Sequence, residues 1–264
     1  MPSVSDGALD RVLEHEAGDL TCTVEAEIRL SALQEALAPH GQMLALDPPG
    51  DPTLGACLAA NLSGPRHHRY GTMRDLVIGA TVVLRDGTVA SSGGKVVKNV
   101  AGYDLAKLFC GSEGRLGRIV RLSLRLHPVP EARATVVAQP DAANALAVLR
   151  STLVPSAVDV HWPERLALLF EGSDRAVAAQ VDTAGELIGA EPAGDEIWAE
   201  AAERQSLAQG RLSFAPGILQ EVLDGEDEAI VRVAAGVAYV PHEVPDPRDT
   251  AEIALVDRIA AAFA

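Results

Sequence analysis

The chain of 264 residues is 48% hydrophobic and 22% charged, which excludes a disordered or fibrous protein and allows one large core or two modest ones. Aromatic residues make up only 3%, so aliphatic side chains and alanine must fill whatever core forms. Acidic residues outnumber basic ones by 37 to 22, and the formal net charge of -15 makes nucleic acid and anionic membrane surfaces poor partners.

Met1 to Asp10 is polar, without the basic segment and apolar run of a secretory signal. Leu20 to Ala26 alternates partly and is rich in β-branched residues, which predicts a half-buried strand. Ser31 and Gln34 read as a capping-box pair for a helix with Leu33, Ala36 and Leu37 on one face, stopped by Gly41. Asp47 to Pro52 holds three prolines, which remove donors and push their predecessors into extended conformations, so an ordered loop or a linker is expected. Thr53 is placed to cap a helix carrying Leu54, Cys57 and Leu58 at i, i+3 and i+4, ended by Gly64-Pro65. Leu76 to Leu84 and the residues from Thr88 onward flank the hairpin signal Asp86-Gly87. Ser91 to Lys95 reads as a flexible corner. Asp104 caps a second short helix with Leu105, Leu108 and Phe109, stopped by Gly111. Val120 to Leu126 alternates apolar residues with Arg121, Ser123 and Arg125, a strand with a charged outer face.

His127-Pro-Val-Pro130 marks a boundary, because two prolines interrupt a regular strand. Beyond it, Ala132 to Ala138 reads as a strand, Asp141 to Arg150 as a helix, Val158 to Trp162 and Leu166 to Phe170 as strands, and Ser173 to Ile188 as a helix. That β-α-β-β-α order is most of a ferredoxin-like split unit. A helix is expected from Ala251 to Phe263, with Ile253, Val256, Ile259 and Phe263 inward, and no window is apolar over the length of a bilayer span.

The most informative stretch runs from Pro48 to Leu126. It holds Thr53-Leu-Gly-Ala56 at a helix start, Asn61-Leu-Ser-Gly64 at that helix's end, Lys95 to Asp104, and Gly111-Ser-Glu-Gly-Arg-Leu-Gly117. Small residues at a helix start let backbone N–H groups approach an anion, and the helix dipole favours a phosphate there. Each glycine cluster alone is more simply a plain turn, and only their joint occurrence points to a ligand. Cys22, Cys57 and Cys110 are odd in number and form no C-x-x-C pair, so they read as buried free thiols of a reducing cytoplasm and offer no iron–sulfur or zinc site. His67-His68 has no neighbouring carboxylate or cysteine cluster to complete a metal site, and no metal is expected. Ser63 lacks the context of a nucleophile elbow. Glu25, Glu27 and the run Glu226 to Glu228 read as solvated faces or loops.

Taken together, Gly41 to Pro49, Ser63 to Arg66, Arg69 to Asp75 and Gly93 to Asp104 resemble the FAD-binding subunit of the glycolate oxidase complex, within the vanillyl-alcohol oxidase or PCMH-type flavoprotein superfamily. The resemblance is close from about Leu9 to Pro130. It implies an α+β chain, with a PCMH-type FAD-binding domain over residues 1–130 whose second subdomain is retained, followed over 131–264 by a reduced ferredoxin-like α/β cap. The cap would place substrate over an FAD lying between two subdomains. Pro49, Thr53, Leu54, Gly55 and Ala56 would line the pyrophosphate and ribityl region, and Asn61, Ser63 and Gly64 would close around the flavin. Gly114, Gly117 and Ile119 would offer backbone contacts farther along the cofactor, and Lys98, Asn99 and Tyr103 polar contacts to the flavin edge or a substrate carboxylate.

The chain also departs from the family. Members place a strand and a glycine-rich pyrophosphate loop before the segment matching Leu20 to Ala26, where only a short polar lead stands here, so half of the usual cradle is expected to be absent unless the true start lies upstream. Glu27 stands where the family has glycine, Arg115 and Arg118 replace smaller residues, and the closing Asp-Pro and Asn-Pro-Gly signals are missing. The resemblance implies an oxidoreductase acting on 2-hydroxy acids such as glycolate, with a second flavoprotein and an iron–sulfur subunit as partners. The alternative is a truncated, non-catalytic homologue that binds FAD weakly or not at all and serves in assembly. No residue falls in a matched motif for a catalytic base.

Overall fold

The computed structural model describes residues 9–94 and 105–245, with Arg258 and Ala261 besides; both of these are helical, and the rest of the expected 251–263 helix lies outside the described residues. In chain order, β1 (Val12–Glu16) and β2 (Thr21–Glu25) lead into α1 (Leu30–Leu37) and β3 (Gln42–Met43). The proline loop is followed by α2 (Leu54–Ala60), the single turns α3 (His67–Tyr70) and α4 (Met73–Leu76), and the hairpin β4 (Val77–Val83) and β5 (Val89–Gly93). Then come β6 (Arg118–Arg125) and β7 (His127–Pro128).

These strands form an antiparallel sheet in the order β1-β2-β6-β4-β5, and β3 pairs with β7 beside it. The inward positions Cys22, Val24, Val82, Leu122 and Leu124 meet Leu33, Leu37, Leu54, Leu58, Met73 and Leu76 from the helices in one apolar cluster. The outer face is small and polar, with Thr23 against Ser123 at 3.1 Å and Thr81 against Ser91 at 2.9 Å.

Three local expectations change in the fold. Ser31 and Gln34 do not form a capping box: α1 begins at Leu30, Asp51 of the proline loop accepts from the Ser31 N–H and hydroxyl, and Gln34 bonds the backbone of Leu44. A side chain 20 residues away thus does the work a local cap was expected to do. The α2 helix stops at Asn61 in the left-handed region (φ 49°), earlier than Gly64-Pro65. Ser91 to Gly93 are paired with Gly79 to Thr81 in β5 and are no flexible corner, because an added Cβ at Gly93 would stand 2.2 Å from the carbonyl of Ile78 and only glycine permits that approach. The expected Asp104 cap lies outside the described residues.

The rest of the chain builds a second sheet. Its elements are β8 (Ala132–Ala138), α5 (Ala142–Arg150), β9 (Ala157–Trp162), β10 (Arg165–Gly172), α6 (Asp174–Ile188) and β11 (Glu191–Ala193). Next are α7 (Glu196–Leu207), β12 (Gly210–Ser213), α8 (Leu219–Asp224), β13 (Ala229–Arg232) and β14 (Val237–Val240). The strand order is β11-β8-β10-β9-β13-β14-β12, every neighbouring pair antiparallel. Its first four strands have the ferredoxin-like order, with β11 as the strand that the sequence pattern left out, and three more strands widen the sheet beyond that unit. One face, with Val158, Val160, Leu166, Leu168, Phe170 and Val231, packs on α5, α6 and α8 as a second core.

Leu122 is fully buried at the centre of the first core. Leu122→Ala should lower unfolding stability by about 2–5 kcal/mol, through lost transfer energy plus a cavity, as read from the urea midpoint.

Candidate functional site

Most of the notable polar chemistry collects where the second sheet's other face meets the segment Asn61 to Gly71. In β9 and β13 the register sets Arg232 opposite Asp159 and Ile230 opposite His161, so Asp159, His161 and Arg232 share that face, as does Glu171 of β10. All four are buried at 5% exposure or less, in strands otherwise apolar.

Two arginines of the segment and one of the sheet tie the surfaces together. Arg66 donates from its guanidinium to Glu171 at 2.6 Å and from its backbone N–H to both Asp47 oxygens at 3.2 Å. Arg69 donates to the Glu171 carbonyl at 2.6 Å, and the Tyr70 hydroxyl reaches the Glu171 carboxylate at 3.4 Å. From the other side, Arg232 donates to the Ser63 carbonyl at 2.7 Å and to the Gln205 side chain, and stands 3.6 Å from Asp159. The close fit of the segment explains Gly64: a Cβ there would stand 1.7 Å from the Asp47 carbonyl oxygen.

Several buried atoms in this junction have no hydrogen-bond partner among the described residues: both Asp159 oxygens, His161 Nε2, Arg232 Nε and His67 Nε2. His67 Nδ1 lies 2.8 Å from the Gly64 carbonyl, which can only accept, so Nδ1 carries the proton and Nε2 is the bare acceptor of the neutral ring. Burial holds His67 and His68 below their ordinary values, and burial with Arg165, Arg204 and Arg232 pushes His161 down to about 3. Burial raises the carboxyl of Asp159, against the opposing pull of Arg232, and pushes Asp47 up to about 7. Among the described residues no group of three or more His, Cys, Asp or Glu is placed to hold a metal ion.

The residues expected to hold a cofactor divide between the two ends of α2, about 10 Å apart for a helix of this length. At its start, Thr53 caps the helix by accepting from the Ala56 N–H. The other first-turn donors are also used: Leu54 bonds the Ile28 carbonyl, Gly55 the Ala26 carbonyl at 2.7 Å, and Cys57 the Thr53 carbonyl. Gly55 is needed for that contact, since a Cβ would stand 2.9 Å from the same Ala26 oxygen. The expected reason for small residues here, free amides facing a phosphate, is therefore replaced by strand-to-helix packing. Leu54 is fully buried, Ala56 is exposed and Pro49 is half-buried in the preceding loop. At the other end, Asn61 Oδ1 accepts from the Arg74 N–H and Cys110 Sγ, Ser63 Oγ accepts from the Met73 N–H, and the Gly111 and Glu113 amides bond the carbonyls of Leu58 and Ala59. Gly114, exposed and with open space about it, lines a cleft with Val83 to Arg85 and Gly87 of the hairpin. Gly117 instead meets the Val83 carbonyl, and Ile119 is a core residue of β6. Lys98, Asn99 and Tyr103 lie outside the described residues.

Residues 3–93 match the family model described as FAD binding domain. The chain carries a PCMH-type FAD-binding domain, and FAD is its cofactor class. Among curated proteins, the chain is 30% identical to the glycolate oxidase subunit GlcE of Escherichia coli over 74% of this chain and 56% of that protein. It is 34% identical to D-lactate dehydrogenase [cytochrome] 1 of Saccharomyces cerevisiae over 60% of this chain and 27% of that one. The chain thus spans between about a quarter and just over half of these relatives. A solved alkyldihydroxyacetonephosphate synthase, 19% identical, superposes over 97% of this chain and 61% of its own with a TM-score of 0.65, a likeness of fold. Two departures of the FAD-binding domain prove to be partners: Arg118 reaches Glu27 at 2.5 Å on the surface, while Arg115 pairs with Glu113 at 2.7 Å.

Sequence reasoning missed Glu171, Asp159, His161 and Arg232. The available signal was a charged or imidazole residue at alternate positions of strands otherwise apolar, which marks a buried polar face. Glu171→Gln, leaving Arg66 without its buried counter-charge, should cost ~3–5 kcal/mol and expose residues 61–71 to limited proteolysis. Asp47 gives a pH signature. Unfolded, its carboxyl ionises near 3.8, and in the fold only at about 7, so the fold holds an extra proton between them. The stabilisation is full below the lower value and lost as pH rises through the upper one. Urea titrations should show that Asp47→Asn removes this decline relative to wild type.

Proposed function

We propose that this chain is an FAD-binding oxidoreductase subunit of the glycolate oxidase type, oxidising a small 2-hydroxy acid and passing electrons to a partner subunit. The observation that carries the reading is the junction: a segment of the FAD-binding domain pinned beneath a sheet that presents buried acidic, imidazole and guanidinium groups with unspent hydrogen-bonding capacity. Such orphaned groups in a closed polar site fit a ligand that is itself polar. The Asn61 to Gly64 turn suits the flavin end of the cofactor, and Gly114 a part farther along it. The α2 amides do not suit its phosphates, because the protein already uses them. Proposed contacts are therefore Asn61, Ser63, Gly64 and Gly114, with Lys98, Asn99 and Tyr103 toward the flavin edge, and Pro49, Thr53, Leu54, Gly55, Ala56, Gly117 and Ile119 shaping the cradle from behind.

FAD, when bound, supplies the two-electron acceptor for the hydride leaving the hydroxyl-bearing carbon. Arg232 is assigned to the substrate carboxylate through Nε, which has no hydrogen-bond partner among the described residues, while Nη1 and Nη2 hold Ser63 and Gln205. The bare Nε2 of His67 is assigned to accept the hydroxyl proton. The domains are proposed at 1–130 and 131–264. No described helix is long and apolar enough to cross a membrane. A cytoplasmic location is proposed from cysteines that are all free. The partners are proposed as a second flavoprotein and an iron–sulfur subunit, since the three cysteines here provide no cluster site.

The filled α2 amides favour a second reading, a non-catalytic assembly subunit with weak FAD binding. Titrating the purified chain into FAD and following flavin absorbance and fluorescence separates the two. Saturable binding is expected, with an artificial acceptor reduced on addition of a 2-hydroxy acid. Arg232→Gln should raise KM about 10-fold or more, and His67→Gln should lower kcat about 100-fold, both with FAD affinity kept. A chain that never takes up flavin would support the assembly reading.

A further inference from the structure

A cleft of ≈ 370 Å³ opens between Arg69 and Tyr70, the end of β6 with β7, and Glu171-Gly172. Its lining is of two kinds: Arg69, Arg125, His127 and Tyr70 are polar or charged, and Pro128, Val129 and Pro130 are apolar, with Val129 49% exposed.

The charges here do not cancel. Glu171 is the one carboxylate in the lining, and it is turned away to Arg66 and Tyr70 with its side chain sealed from solvent. Neither Arg69 nor Arg125 has a carboxylate partner among the described residues. Arg69 spends Nη1 on the Glu171 carbonyl and Ser156, and Arg125 spends Nη2 on His127 Nε2 at 3.0 Å. Since a guanidinium only donates, Nε2 is the acceptor of the neutral ring and the proton sits on Nδ1. That Nδ1 is buried and has no acceptor among the described residues. The ring is stacked edge-on against Tyr70 at 4.9 Å, so it is held in this arrangement. Burial, then Arg125 and Arg69, disfavour its protonation, which reports a positive potential inside the cleft of a chain carrying -15 overall.

We propose that this cleft binds a small organic anion, its carboxylate or phosphate head between the Arg69 and Arg125 guanidiniums and its apolar body against Pro128, Val129 and Pro130. Two guanidiniums without counter-charges among the described residues supply forked donors for an oxyanion, and Pro128, Val129 and Pro130 supply apolar surface that a bare inorganic ion cannot use. The volume suits a ligand of a few to about ten heavy atoms. The site is separate from the one proposed for the 2-hydroxy acid, and it stands or falls independently of flavin binding.

Calorimetry on the full chain with hexanoate, acetate and hexan-1-ol, alongside the His127 ring resonances by NMR, tests it. Hexanoate should bind saturably and move the His127 signals, acetate should bind about 10-fold more weakly for want of the apolar body, and hexan-1-ol should not bind. Arg125→Gln, which removes an exposed side chain bonded among the described residues only to His127, should abolish hexanoate binding without changing the melting temperature, and Arg125→Lys should recover part of it. Absence of a saturable His127 shift, equal binding of acetate and hexanoate, or hexanoate affinity unaltered in Arg125→Gln would overturn the proposal. FAD titration in the same variants should be unchanged.

Discussion

The junction between the two sheets depends on one buried carboxylate. Glu171 sits at the end of a long apolar strand with its side chain closed to solvent, where an ionised group survives only if it is paired and hydrogen-bonded. Arg66 supplies the charge, Tyr70 a hydroxyl, and Arg69 takes the carbonyl of the same residue. All three donors come from five consecutive residues of the other sheet's connection. One acid therefore fixes the place and the orientation of a whole segment, and with it the relation of the two cores.

The second strap, Arg232 to the Ser63 carbonyl, works in the opposite direction, from the cap-like sheet down to the FAD-binding domain. Between the straps lies a buried polar layer. Removing charge from water there is costly, so the imidazoles stay neutral and the Asp47 and Asp159 carboxyls ionise reluctantly. Such a layer is a poor source of stability compared with apolar packing, but it holds hydrogen-bonding groups at fixed positions.

The chain's departures from its relatives are handled in ordinary physical ways. Glu27 and Arg118, each unusual alone, satisfy one another at the surface. At the start of α2, the amides that a phosphate would want are spent on Ala26, Ile28 and Thr53. The small residues of that turn are explained by a strand passing within contact of a helix, and the same residue pattern would have served an anion equally well. Glycine permits close approach without saying what approaches.

Most of the strands and helices could be read from the sequence, because their causes are local. Period-2 alternation over Val120 to Leu126, the Asp86-Gly87 turn, the Thr53 and Asp141 caps and the Ala132 to Ile188 rhythm all report interactions within a few residues. So do composition and charge, which set what the core is made of and which partners are unsuitable. The motifs from Gly41 to Asp104 were likewise sufficient for the flavoprotein family. What the sequence could not show is which side chains meet across 100 residues and more. Arg66 with Glu171, Ser63 with Arg232, and the Arg69 and Arg125 cleft arise only when two sheets pack face to face, since partners so far apart in the chain leave no periodicity, spacing or turn signal. Length and composition allowed one or two cores; the tertiary structure decided that there are two, and that buried charge joins them.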